Sequence, residues 1–230
     1  MELLKRALGL VVAGVVFFGL LGVYLTWAPD KPVEALTAKW APPPSQFIAL
    51  QGMQVHLRDE GPRDDPLPIV LLHGTSASLH TWEGWAEALR GQRRVIRMDL
   101  PGFALTGPNP ENDYSIERYV AFVAALADQL GVQRFVLGGN SLGGQIAWAT
   151  AVAHPQRVAS LILVDASGYA FESAKTPIDV PIGFQMARIK PLAPLVENTL
   201  PRGLVEKSVK AVYGDPSKVT PPLVDLYYDM

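Results

Sequence analysis

Gly138-Gly139-Asn140-Ser141-Leu142-Gly143-Gly144 is the stretch that decides the fold. Its inner five residues fit the pattern G-x-S-x-G. Such a match arises by chance in roughly one of a dozen chains of this composition, so its flanks carry the weight. Phe135 to Leu137 read as a short apolar strand, and Leu142 to Ala153 as a helix. A serine held between the end of a strand and the start of a helix sits on a sharp turn that exposes its hydroxyl. The turn strains the backbone and packs closely on both sides, so it needs small neighbours. Gly138, Gly139, Gly143 and Gly144 supply them. The first turn of the helix adds unpaired N–H groups and the positive end of a dipole. The alternative is a glycine-rich phosphate turn, but no lysine follows as in a P-loop and no GxGxxG is present.

Outward from this turn, strand and helix patterns alternate. Phe47 to Leu50 and Met53 to Arg58 read as short strands joined by a turn at Gln51-Gly52. Ile69 to Leu72 is a continuous apolar run, as expected of a strand covered on both faces. Thr81 to Leu89 reads as a helix and Val95 to Met98 as a strand. Ile116, Val120, Val123, Ala127 and Leu130 recur at helical spacing behind a Ser115 N-cap, and Gly131 stops that helix. Val158 to Val164 is a further strand, rich in branched residues. The alternation predicts an α/β fold with a mostly parallel sheet and helices on both faces.

The motifs then acquire an order. LLHGTSAS (71–78), TW (81–82), RMDLPGFALTG (97–107), GGNSLGG (138–144) and HPQRVASLILVDASG (154–168) occur as they do in α/β-hydrolases. Over residues 46–170 the chain resembles that family's serine-nucleophile branch of esterases and carbon–carbon bond hydrolases. Epoxide-hydrolase and dehalogenase relatives place Asp where Ser141 stands. The resemblance implies Ser141 as nucleophile, with the backbone N–H groups of Thr75 and Leu142 as an oxyanion hole. Each such donor contributes about 3–4 kcal/mol to lowering the barrier. Trp82 and Phe103 are expected to shape the substrate pocket. His73 is expected to tie its loop together rather than act as base, and Asp99 to be structural. The resemblance implies no metal and no organic cofactor. One departure is visible: relatives read P-G-F-G where this chain has Pro101-Gly102-Phe103-Ala104. If that position requires positive φ, Ala104 costs about 1 kcal/mol or shifts the loop.

A serine nucleophile needs a base, and the base a carboxylate to orient it. In this fold both follow the serine in the chain. Only His154 does so, and it stands about 18 Å from the helix start at ~1.5 Å per residue. His56 lies in an early strand, and His80 precedes a helix near the expected pocket. Asp165 follows a strand where some relatives keep the acid, and is the one candidate for that role. Residues 171–230 resemble the start of a cap over the site. The strands that carry acid and base in the family have no counterpart here, so a truncated form of a longer hydrolase, inactive as it stands, is the expectation.

Ahead of the hydrolase-like region, Lys5 and Arg6 precede an uncharged apolar stretch over 7–28. About 20 such residues span a ~30 Å hydrocarbon core. Tyr24 and Trp27 near its far end suit the membrane interface. A cleaved signal peptide is the alternative, but its apolar run is usually ~7–15 residues with a small-x-small site behind it. The expectation is a single-pass anchor with Lys5 and Arg6 cytoplasmic and the rest extracytoplasmic, periplasmic in a bacterium. Residues 29–45, with Pro42, Pro43 and Pro44, read as an extended spacer. The net charge of −2 leaves no basic field for nucleic acid, and the absence of cysteine excludes a thiolate metal site or a cysteine nucleophile.

The expected partners are therefore a small-molecule substrate and a membrane. The expected activity is hydrolysis of a small apolar ester or related acyl compound. A catalytically silent, membrane-tethered binding module and an acyltransferase on the same scaffold are the alternatives.

Overall fold

The computed structural model describes residues 2–169, 189–191 and 193–230. Of the expected cap over 171–230, residues 171–188 and Leu192 lie outside those described. The described chain divides into two compact units. One holds the N-terminal residues through Lys31 together with residues 189–229. The other holds the sheet and runs from Pro32 past the last strand.

The sheet has six strands: β1 (Gln46–Leu50), β2 (Met53–Glu60), β3 (Ile69–Leu72), β4 (Val95–Met98), β5 (Phe135–Asn140) and β6 (Val158–Val164). Their spatial order is β1-β2-β4-β3-β5-β6. β1 and β2 form an antiparallel hairpin through Gln51 and Gly52, both at positive φ. β2 pairs antiparallel with β4, and the remaining pairs are parallel. β5 and β6 extend in register to Asn140↔Val164, which brings the end of β6 beside the serine turn.

Side chains of β3 alternate between two cores, as the pleat requires. Val70 and Leu72 join the larger core, which α4 (Ile116–Gln129) and α5 (Leu142–Ala153) cover with Phe122, Val123, Leu126, Ile146 and Ala147. Ile69 and Leu71 face the other way, against α3 (Glu83–Leu89) and Trp82. β4 obeys the same rule: Ile96 and Met98 enter the larger core, and Val95 the smaller. Arg97 is fully buried and bonds Glu60 at 2.7 Å and Glu83 at 2.8 Å. Burial opposes its charge, but the two carboxylates outweigh that and raise its pKa. Charge-assisted bonds thus complete a layer that apolar packing starts.

Helix α4 begins as its sequence predicts, with Ser115 Oγ accepting from the Arg118 N–H at 3.3 Å, and ends at Gly131 with φ +68°. The stretch read as an extended spacer differs from expectation. Val33–Trp40 form a helix, α2, with Leu36 buried on it. Ser45 Oγ is 2.9 Å from His56 Nε2 and accepts from Arg58 Nε at 2.9 Å. His56 Nδ1 lies 2.7 Å from Asp99 Oδ2. The proline-rich segment is therefore bonded into the sheet rather than standing off it.

In the first unit, α1 (Glu2–Leu25) contains one stretch, Lys5–Leu25, long and apolar enough to cross a membrane. Ala193–Glu197 form a short helix, α6, and Arg202–Val212 form α7, with Pro201 between them. Pro221–Asp229 form α8.

Candidate active site

Ser141 stands between β5 and α5 with φ +51° and ψ −115°. A non-glycine residue there is strained by about 1–3 kcal/mol, and only surrounding structure that over-determines it can keep it so. That structure is visible on both sides. The Ser141 N–H donates to Val164 O at 3.0 Å, and Ser141 O accepts from Gln145 N at 3.0 Å and Ser167 N at 3.1 Å. Asn140 Nδ2 donates to Val164 O at 3.2 Å. The end of β6 is thereby stitched to the turn.

The glycines around the serine have no room for a side chain. A methyl group on Gly139 would lie 2.1 Å from Gly143 O, and one on Gly143 would lie 2.4 Å from Leu72 O. On Gly144 it would lie 2.6 Å from Ala166 Cβ. Helix α5 can therefore start directly against β3, β5 and the chain leaving β6. Its first ladder bond runs from Gln145 N, so the amides of Leu142, Gly143 and Gly144 precede the ladder.

The loop after β3 reaches the same place. A methyl group on Gly74 would lie 2.8 Å from Asn140 Oδ1 and 3.2 Å from Ser141 Cβ. Thr75, next along the chain, is exposed, and Ser76 has φ +56°. His73 is fully buried, with Nδ1 2.7 Å from Gly74 O and Nε2 accepting from Leu100 N at 2.9 Å. Burial pushes its pKa down, against the opposing pull of Asp99 and the Gly74 carbonyl. It is a neutral tie between two loops, as expected.

Asp99 is likewise structural. Its carboxylate accepts from Leu79 N at 2.7 Å and Leu105 N at 3.1 Å and faces His56. Burial would push its pKa up, but these bonds and the nearby imidazoles hold it below the usual range. The loop that follows has Gly102 at φ +87° and Ala104 at φ +46°. Phe103 is half-buried, with its ring edge-on to His73 at 5.6 Å, on the loop neighbouring Gly74. Trp82 is only 3% exposed and packs against Trp85 at 5.3 Å in the smaller core, rather than on an open wall.

Asp165 is exposed at φ +46°, between Val164, which bonds Ser141, and Ala166, which abuts Gly144. Among the described residues, no side chain hydrogen-bonds Ser141 Oγ. His80 has Nε2 2.9 Å from Trp40 O and Nδ1 3.1 Å from Ser78 Oγ. Burial brings its pKa down to about 4, with Asp99 opposing and Arg58 assisting. His154 caps the far end of α5. The brace formed by Ser167 Oγ donating to Gln145 Oε1 at 3.1 Å and Trp148 Nε1 donating to Ser167 O at 3.0 Å had no role in the sequence reading. Its one signal was the Ala166-Ser167-Gly168 tail of the last motif.

Comparison with known proteins agrees with this fold. The chain is 36% identical over 130 residues to the 2-hydroxy-6-oxo-2,4-heptadienoate hydrolase of Pseudomonas putida, covering 55% of this chain and 46% of that protein. Among solved structures, the meta-cleavage product hydrolase CumD of Pseudomonas fluorescens superposes with TM-score 0.62 at 26% identity, over 80% of this chain and 62% of that one. A bacterial membrane phospholipase A superposes with TM-score 0.64 at 24% identity, over 100% of this chain and 70% of that one. The chain spans about half the length of the curated relatives it matches. The family model described as alpha/beta hydrolase fold matches residues 68–203. With its serine turn, parallel sheet and more than half its length accounted for in this way, the chain belongs to the alpha/beta hydrolase fold family.

Proposed function

We propose that this protein is a serine hydrolase that cleaves a small, mostly apolar ester or related acyl compound through an acyl-enzyme at Ser141. The observation that carries the reading is the strained Ser141 backbone, at φ +51°, pinned between Val164, Gln145, Ser167 and the Gly74 loop. Strain kept at such cost is a mark of a functional turn. In this reading Ser141 Oγ attacks the acyl carbonyl, and the N–H groups of Thr75 and Leu142 receive the developing oxyanion. The alcohol leaves with a proton, and water then releases the acid from Ser141. Phe103 lines the acyl pocket, with Trp82 supporting its floor from the core. Asp165 is the candidate acid. Relatives named as hydrolases support water as acceptor over acyl transfer. Helix α1 anchors the protein, with Lys5 and Arg6 cytoplasmic and the sheet unit outside.

One observation favours a second reading. His56, His73 and His80 have their rings engaged elsewhere, His154 lies at the far end of α5, and no described side chain bonds Ser141 Oγ. A membrane-tethered module that binds an acyl compound without turnover has the same features. The two separate with p-nitrophenyl esters of increasing acyl length, offered to the natural protein purified in detergent. Hydrolase action predicts a burst of nitrophenol and a mass increase of one acyl group, both lost in Ser141→Ala. Saturable ester binding with no acyl adduct would establish the binding module instead.

A further inference from the structure

The outer end of α1 is tied to the segment between α6 and α7 by backbone hydrogen bonds. Trp27 and Thr199 form an antiparallel bridge. The Ala28 N–H donates to Asn198 O at 2.8 Å, and Leu200 N donates to Thr26 O at 2.9 Å. A second tie lies close by: Lys31 Nζ is 2.5 Å from Asp229 Oδ1 and 5.6 Å from the centre of the Tyr228 ring. Whatever surrounds the last turn of α1 therefore also surrounds residues 198–200.

The side chains flanking that tie are apolar and open. Leu195 on α6 is 38% exposed and lies about 5 Å before Asn198 at helical rise. Leu204, 55% exposed, stands in the first turn of α7, four residues after Leu200. Tyr24 and Trp27, at 78% and 52%, are open on the α1 side of the tie. α7 carries Arg202, Lys207 and Lys210; Arg202 bonds Asp225 and Lys210 bonds Glu206, each at 2.6 Å, so the three cations against these two acids leave a small positive excess toward an anionic surface. Exposed leucines beside a Tyr/Trp pair and basic residues form the pattern of an element lying in a headgroup layer.

We propose that α6 and the start of α7 dock on a phospholipid bilayer surface, with Leu195 and Leu204 inserted at the headgroup boundary. The proposal rests on the reading of α1 as a membrane span. Residues 198–200 would then stand at the level where that span leaves the bilayer, and the cap segment would be carried on the membrane.

The chain has no cysteine, so single labels can be placed without background. Bimane would be attached at Leu195→Cys, Leu204→Cys, Phe18→Cys within α1, and Glu111→Cys on the sheet unit. Each protein is reconstituted in vesicles of phosphatidylcholine and phosphatidylglycerol, with or without bromine on the acyl chains near the headgroup. Brominated lipid is expected to lower emission at Leu195, Leu204 and Phe18 at least twofold relative to Glu111. Quenching at Phe18 with none at Leu195 and Leu204 would overturn the docking while leaving the span intact. Absence of quenching at Phe18 would remove the span and the docking together. Emission at Leu204 that ignores bromine but falls as protein per vesicle rises would assign the face to a second copy of the chain and overturn the proposal.

Discussion

Gly74 and Ser141 stand so close that a methyl group on the first would lie 3.2 Å from the Cβ of the second. Two loops that are far apart in sequence meet at this contact, one residue before Thr75. Gly74→Ala must push Ser141 or Asn140 aside by a few tenths of an ångström. A small misplacement at a reacting centre costs roughly ten- to a hundredfold in rate. We expect Gly74→Ala to slow acylation of Ser141 by at least about tenfold, while thermal unfolding shows the fold retained. Unchanged acylation would remove the β3 loop from the site.

Ser141→Gly should stabilise the protein as it abolishes acylation. Glycine occupies positive φ without the penalty a Cβ incurs there. The strain released is about 1–3 kcal/mol, less the entropy glycine loses on folding. Ser141→Ala keeps the Cβ and should stay near the parent stability. Comparing the two variants in denaturant isolates the backbone term, and equal stabilities would mean that the turn is unstrained.

Ala104 offers the same test away from the nucleophile. Its φ of +46° lies in the left-handed region that favours glycine. Ala104→Gly is expected to raise stability by up to about 1 kcal/mol. A lower unfolding midpoint would show that the loop has adapted to alanine.

His80 links acidity to stability. Its folded pKa, lowered by burial to about 4 from 6.5, means the unfolded chain binds the extra proton first as pH falls. Stability is then fully present above about pH 6.5 and is lost towards pH 4, by at most about 3 kcal/mol and less because the ring is only partly buried. Asp99, with its pKa held low, loses its contribution only below the carboxylate range, so the window between pH 6.5 and 4.5 belongs mainly to buried imidazoles, His80 and His73 together. His80→Gln should reduce the slope of the midpoint across that window, leaving the part that His73 carries. An unchanged slope would place the acid sensitivity elsewhere.

Much of this architecture was legible from residue patterns. Ile69–Leu72, Val95–Met98, Val158–Val164 and Leu142–Ala153 are bounded as their apolar runs and flanking turns predict. Gly131 and Ser115 delimit α4 for the reasons that capping chemistry supplies. Failures came where tertiary bonds override composition. Prolines at 42–44 suggested a spacer, whereas Val33, Leu36 and Trp40 at helical spacing already outlined α2, and Ser45 binds His56. β5 continues through Gly138, Gly139 and Asn140 because β6 pairs with their backbone, although glycines weaken the local strand signal. Of the candidate site, the Ser141 turn and its glycines were legible, because they act through sterics alone. The brace of Gln145, Trp148 and Ser167 depends on a contact across 22 residues, which no local pattern encodes.

Peptide mapping after fluorophosphonate treatment tests the nucleophile most directly. The natural protein would be labelled in its membrane, digested, and sequenced by mass spectrometry. A single adduct is expected on the hydroxyl of Ser141, absent from Ser141→Ala. An adduct on another residue, or none in protein shown to be folded, would contradict it.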